Sequence, residues 1–121
     1  MENSDAYKIP GLLSLSDPLV AISVVLSDYN ISFAEVCKKT RRRDILKYRQ
    51  IVHTVLSRHT GLSMTEIGNR VGCKDHATVI HSKRVISASE YVYRKHMVKE
   101  ELLVLYTEIE RKYLKLTVRI N

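Results

Sequence analysis

The stretch "SMTEIGNRVGCKDHATVIHSKR", Ser63 to Arg84, decides how this chain folds. Ser63 and Glu66 stand at capping-box spacing, so a helix should open there. Met64, Ile67 and Val71 then share one face of a short helix, and Gly72 interrupts it. A second helix begins near Asp75. Val79 and Ile86, seven apart, line its inner face, while Ala77, His81 and Arg84 form a stripe on roughly the opposite face. Two short helices joined by a glycine-containing turn are a helix-turn-helix signal.

Helical patterns continue on both sides. Upstream, Asp17 followed by Pro18 looks like an N-cap with proline at the first helical position. Leu19, Ile22, Leu26 and Tyr29 recur at helical spacing, which predicts a first helix over about 17–29. "SFAE" at Ser32–Glu35 has capping-box spacing and predicts a short helical turn. Asp44 can cap a longer helix whose apolar face uses Tyr48, Ile51, Val52, Val55 and Leu56, ended by Gly61. Downstream, "SASE" at Ser87–Glu90 predicts a cap for a long last helix from about Ser89 to Leu116. Its stripe is Val98, Leu102, Leu105, Ile109 and Leu116. Residues 1–16 carry Pro10, Gly11 and several serines with weak periodicity, and read as an arm ahead of a domain spanning 17–121. The expected architecture is all-α: a bundle of about five or six helices containing a helix-turn-helix, with a long C-terminal helix.

Composition agrees with that architecture. The 121 residues contain no Trp, four Gly and two Pro, so few residues interrupt helices. Charge is unevenly placed. Lys38, Lys39, Arg41, Arg42, Arg43, Lys47 and Arg49 face Asp44 alone, so this short segment holds six of the seven net positive charges. Like charges packed together weaken a fold unless a polyanion meets them, which points to nucleic acid. The apolar run "LVAISVVL" at Leu19–Leu26 is too short to span a bilayer. Cys37 and Cys73 match no CxxC spacing, which is simplest for a reduced, intracellular protein. No membrane association is expected.

The His-containing segment from Gly72 to Arg84 could hold a metal, a catalytic pair or a binding helix. Cys73, His76 and His81 give C-x2-H-x4-H, but zinc needs a fourth ligand or a water, and the only obvious candidate is Cys37 beside the basic cluster. Asp75 and His76 are adjacent on a helix and do not form a base with its orienting carboxylate. No glycine is followed by the Lys and Ser or Thr of a phosphate loop. No catalytic residue, metal or cofactor is therefore expected, and the chain should not be an enzyme. The binding reading explains more. The start of a recognition helix, here Lys74, Asp75, His76 and Ala77, meets base edges in the major groove. Asp can accept from cytosine N4, imidazole can donate or accept, and an alanine methyl can pack on thymine.

The run "RQIVHTVLSRHTGLSMTEIGNRVGCKDHATVIHSKRVI" closely resembles the C-terminal DNA-binding domain of the bacterial replication initiator DnaA. That pattern is a basic loop, R-Q on a helix, S-x-x-E-I-G, then G-x-[RK]-D-H-T-T-V-[IL]-H. The resemblance covers about residues 17–110 and implies residue roles. An arginine of the basic loop, Arg41 with Arg43 nearby, would enter the minor groove. Lys74, Asp75, His76 and Ala77 would read bases in the major groove. Arg49 and Gln50 would contact phosphates, with Thr60, Met64, Thr65, Thr78 and His81 also along the backbone. Three positions depart from the pattern: Ala77 replaces the first threonine of D-H-T-T, Lys74 an arginine, and Tyr48 the proline before R-Q. The family carries an AAA+ ATPase ahead of this domain. These residues carry none, so DNA recognition without ATP hydrolysis is expected. The implied partner is double-stranded DNA, the location the cytoplasm at the nucleoid, and the role regulation of replication or transcription. A competing expectation is an adaptor that uses the apolar "LLVLY" face of the C-terminal helix for a protein partner or a homodimer.

Overall fold

A computed structural model describes residues 17–40, 42–72 and 75–117. The arm expected over 1–16, together with Arg41, Cys73 and Lys74, lies outside the described residues. Six helices follow one another, with no strand among the described residues: α1 Pro18–Ser27, α2 Phe33–Cys37, α3 Arg43–His59, α4 Met64–Arg70, α5 His76–His96 and α6 Glu101–Thr117. The chain is all-α, as its pattern predicts.

Local capping starts most of these helices. Asp17 Oδ1 accepts from Leu19 N at 2.9 Å, with Pro18 at the first helical position. Ser32 and Ser63 each form a full capping box with Glu35 and Glu66. Bonds from the Ser32 and Ser63 backbone N–H groups hold both glutamate carboxyls below their ordinary range. The start of α3 differs from expectation. Arg42 occupies its N-cap with no side-chain bond, and Asp44 sits inside the first turn, accepting from Arg42 Nη2 at 2.7 Å. Acid in a first turn still suits the helix dipole. The end of α3 is also set without a left-handed glycine. The Thr60 hydroxyl donates to the Leu56 carbonyl at 2.5 Å and accepts from Leu62 N at 3.1 Å, before Gly61 is reached.

Helix α3 is the central pillar. Every residue from Ile51 to Leu56 is buried, including His53 and Thr54. Helix α1 contributes Ala21, Ile22, Val25 and Leu26 to the same core, and the helix-turn-helix contributes Ile67, Val71, Val79 and Ile86. Tyr48 takes up the position of the expected proline by packing its ring 5.9 Å from that of Tyr29. Helix α1 is hooked to α6 at its far end, where Tyr29 OH donates to Glu108 at 2.6 Å and Lys112 Nζ lies 3.3 Å from Asp28.

The expected helix start at Ser87–Glu90 is overturned. Helix α5 runs straight through it and stops at Met97, whose left-handed φ of 58° closes the helix. The serines and the glutamate that look like a capping box serve tertiary contacts instead. Arg58 grips Glu90 with both arms, Nη1 to Oε2 at 2.7 Å and Nη2 to Oε1 at 2.9 Å, and Nη2 reaches Ser87 Oγ at 3.3 Å. Ser89 Oγ donates to Glu100 Oε1 at 2.7 Å across the α5–α6 corner. The buried stripe of α6 is consequently Leu103, Tyr106, Ile109 and Tyr113. Leu102, Leu105 and Leu116 only border the core, and Val98 is exposed outside the helix. Ile109, part of the expected stripe, is fully buried within the chain.

Candidate nucleic-acid interface

The start of α5 is built around Asp75. Its backbone is extended, and its Oδ1 accepts from Ala77 N at 2.9 Å, so the side chain caps the helix it precedes. The Asp75 carbonyl accepts from Thr78 N at 3.1 Å. His76 Nδ1 lies 3.9 Å from the Asp75 carboxylate, close but beyond hydrogen-bond distance. Asp75, His76, Ala77, Thr78 and, one turn on, His81 are all exposed. Four residue types thus stand at a helix end with little side-chain bulk: an acceptor, an imidazole, a methyl and a hydroxyl. That chemistry can meet base edges at close range.

The rear of α5 is fixed against α3. Val79 and Ile86 are fully buried, and Ser82 Oγ lies 2.9 Å from His53 Nδ1 inside the interface. Burial, reinforced by the positive charge of Arg49, pushes His53 down to about 4, so this imidazole is neutral near pH 7.

The basic segment leaves α2 beside the same turn. Gly72 has φ +80°, and a Cβ placed on it would lie 2.1 Å from the Cys37 carbonyl oxygen. Only a glycine lets the turn between α4 and α5 approach the end of α2 this closely. The Cys37 thiol points to the Arg70 carbonyl at 3.8 Å. Lys38, Lys39, Arg42 and Arg43 are exposed. Arg49, expected at a phosphate, is half-buried, and its guanidinium donates to backbone carbonyls: Nε to Val36 at 2.8 Å, Nη1 to Thr40 at 3.3 Å and Nη2 to Lys38. Thr40 Oγ1 accepts from Arg42 N at 3.2 Å. Val36, Cys37, Thr40 and Gly72 shape this corner; the sequence marks Gly72 as a turn and Cys37 as a cysteine beside the basic cluster, but neither their contact nor the part of Val36 and Thr40. Backbone acceptors and close approaches leave no residue-type signature.

Gln50 lines a cleft of about 600 Å³ with Arg43, Lys47 and Glu101, floored by Leu102 and Leu105. Thr65 is exposed in the first turn of α4, whereas Met64 packs against the core and the Thr60 hydroxyl is engaged in ending α3. Among the described residues, no group of three or more His, Cys, Asp or Glu side chains could hold a metal. No described helix is long and apolar enough to cross a membrane.

Residues 20–86, from α1 into the second half of the helix-turn-helix, match the family described as "Bacterial dnaA protein helix-turn-helix". The chain belongs to this family. Membership sets DNA binding as the activity class of these DnaA-type residues. Three chromosomal replication initiator proteins DnaA are similar to it. That of Microcystis aeruginosa is 36% identical over 80 residues, 66% of this chain and 18% of that protein. That of Thermomicrobium roseum is 41% identical over 64 residues, 53% of this chain and 14% of that protein. That of Crocosphaera subtropica is 38% identical over 72 residues, 60% of this chain and 16% of that protein. The chain therefore spans less than a fifth of the length of the DnaA relatives it matches.

Proposed function

We propose that this DnaA-type domain binds a specific double-stranded DNA sequence by entering both grooves at once. The basic loop enters the minor groove through Arg41, with Arg43 beside it. The start of α5 enters the major groove, where Lys74, Asp75, His76 and Ala77 meet base edges. Gln50, Thr60, Met64, Thr65, Thr78 and His81 lie along the phosphates, and Arg49 adds positive charge. The chain acts by binding rather than by catalysis, at the nucleoid in the cytoplasm, and regulates replication or transcription by occupying its sites. The observation that carries this reading is one of placement. The turn that precedes the exposed end of α5 meets the root of the cationic loop where Gly72 touches Cys37.

Selection of bound duplexes from a random pool tests it. A single enriched box, lost when Arg41 and Arg43 are both replaced by alanine, is the expected result. Enrichment of no sequence, with binding that depends on salt alone, would overturn sequence-specific recognition.

A further inference from the structure

The three carbonyls of Val36, Lys38 and Thr40 alternate along the chain as it leaves α2, and one guanidinium serves them all. This arrangement needs arginine. Its N–H donors radiate in one plane from three nitrogens, whereas a lysine ammonium has a single nitrogen. The Val36 carbonyl lies at the C-terminal end of α2, where the helix dipole also favours a cation. With Nε, Nη1 and Nη2 all turned inward, Arg49 is poorly posed to present its fork to a phosphate. Gly72 seats the turn before α5 on the neighbouring residue, Cys37. The segment held by Arg49 therefore contains the residue, Cys37, on which Gly72 of the α4–α5 turn rests.

We infer that Arg49 is a positioning residue. It fixes the path of the basic loop relative to α5 and so sets where the loop meets DNA when α5 is seated. This rests on the two-groove reading above, and it replaces a phosphate contact with an indirect role.

The test uses the full chain, with Arg49→Lys and Arg49→Ala measured on the selected box and on its single-base-pair variants. The Arg41→Ala/Arg43→Ala protein is the reference. Both Arg49 variants should lose about ten-fold or more of discrimination, at the base pairs where the reference loses it. Base pairs read by α5 should be unaffected. In the reference background Arg49→Lys should change affinity less than about two-fold, because coupled residues are not additive. Arg49→Lys keeps its charge, so its log–log salt slope should match the parent. In the protein without DNA, amide exchange at residues 38–40 should quicken in Arg49→Lys while α3 and α5 stay protected. A normal base profile in Arg49→Lys, with a uniform loss and a slope lower by about one in Arg49→Ala, makes Arg49 a phosphate contact and overturns the proposal. Unchanged exchange at 38–40, or loss of protection throughout α3 and α5, overturns it as well. If the reference itself keeps the full base profile, the minor-groove reading falls and takes this proposal with it.

Discussion

At Asp75 one carboxylate serves the fold and, in the recognition proposed above, a base as well. One oxygen caps α5 through Ala77 N, and the exposed group can still accept from a base. Asp75→Asn separates the two roles, because Asn is a comparable N-cap but adds a donor where the carboxylate only accepts. The variant should melt near the parent while discrimination at one base pair changes by about 1–3 kcal/mol. A panel of single-base variants beside a melting curve reads both, and an unaltered base profile would leave Asp75 a cap alone. His53 poses the opposite case, a group buried in the core against Ser82. Its native value of about 4 lies below the ordinary 6.5, so between these pH values the unfolded chain holds the proton and the folded chain does not. The neutral imidazole therefore contributes stability that is whole above pH 6.5, declines as pH falls toward 4 and is lost below it. The change is about 3 kcal/mol. His53→Asn can still bond Ser82 and should flatten this part of the pH dependence in denaturant titrations. An identical pH dependence in the two proteins would remove His53 as its source.

At the scale of elements, the continuity of α5 is the sharpest difference from the sequence pattern. Ala88 tests it. At the start of a new helix capped by Ser87, proline would be welcome at this position. Inside a continuous α5 it removes a backbone bond and clashes with the preceding turn, so Ala88→Pro should cost about 3 kcal/mol or more. A thermal melt unchanged by Ala88→Pro would place a helix boundary there after all. The starts of α1, α2, α4 and α5 were legible because a cap needs only its own few residues, as at Asp17, Ser32, Ser63 and Asp75. The α5–α6 corner was not. Its determinants are Arg58, which reaches Glu90 from 32 residues upstream, and Met97, a residue type with no preference for a left-handed turn. The same division runs through the candidate interface. The exposed end of α5 and the cationic loop could be read from residue types and spacing. The inward turn of Arg49 could not, because its acceptors are main-chain carbonyls that any residue possesses.

Across the whole molecule, exposed positive charge extends beyond the residues proposed to read bases. Lys38 and Lys39 are exposed beside the corner where Arg49 grips the backbone. Replacing both with glutamine should lower the log–log salt slope by up to about two units while the ranking of base-pair variants is kept. A changed ranking with an unchanged slope would assign these lysines to sequence reading instead. The contact of Gly72 with Cys37 has a consequence for the DNA. In the two-groove seating proposed above, the loop and the start of α5, joined through the Gly72–Cys37 contact, should act as the fixed jaws of a caliper. One base pair inserted between the stretch under the loop and the stretch under α5 moves them apart by about 3.4 Å and rotates one against the other by roughly 35°. A pliant tether would follow that displacement. These jaws should not, so the lengthened duplex should bind as poorly as a site from which the loop's stretch has been scrambled.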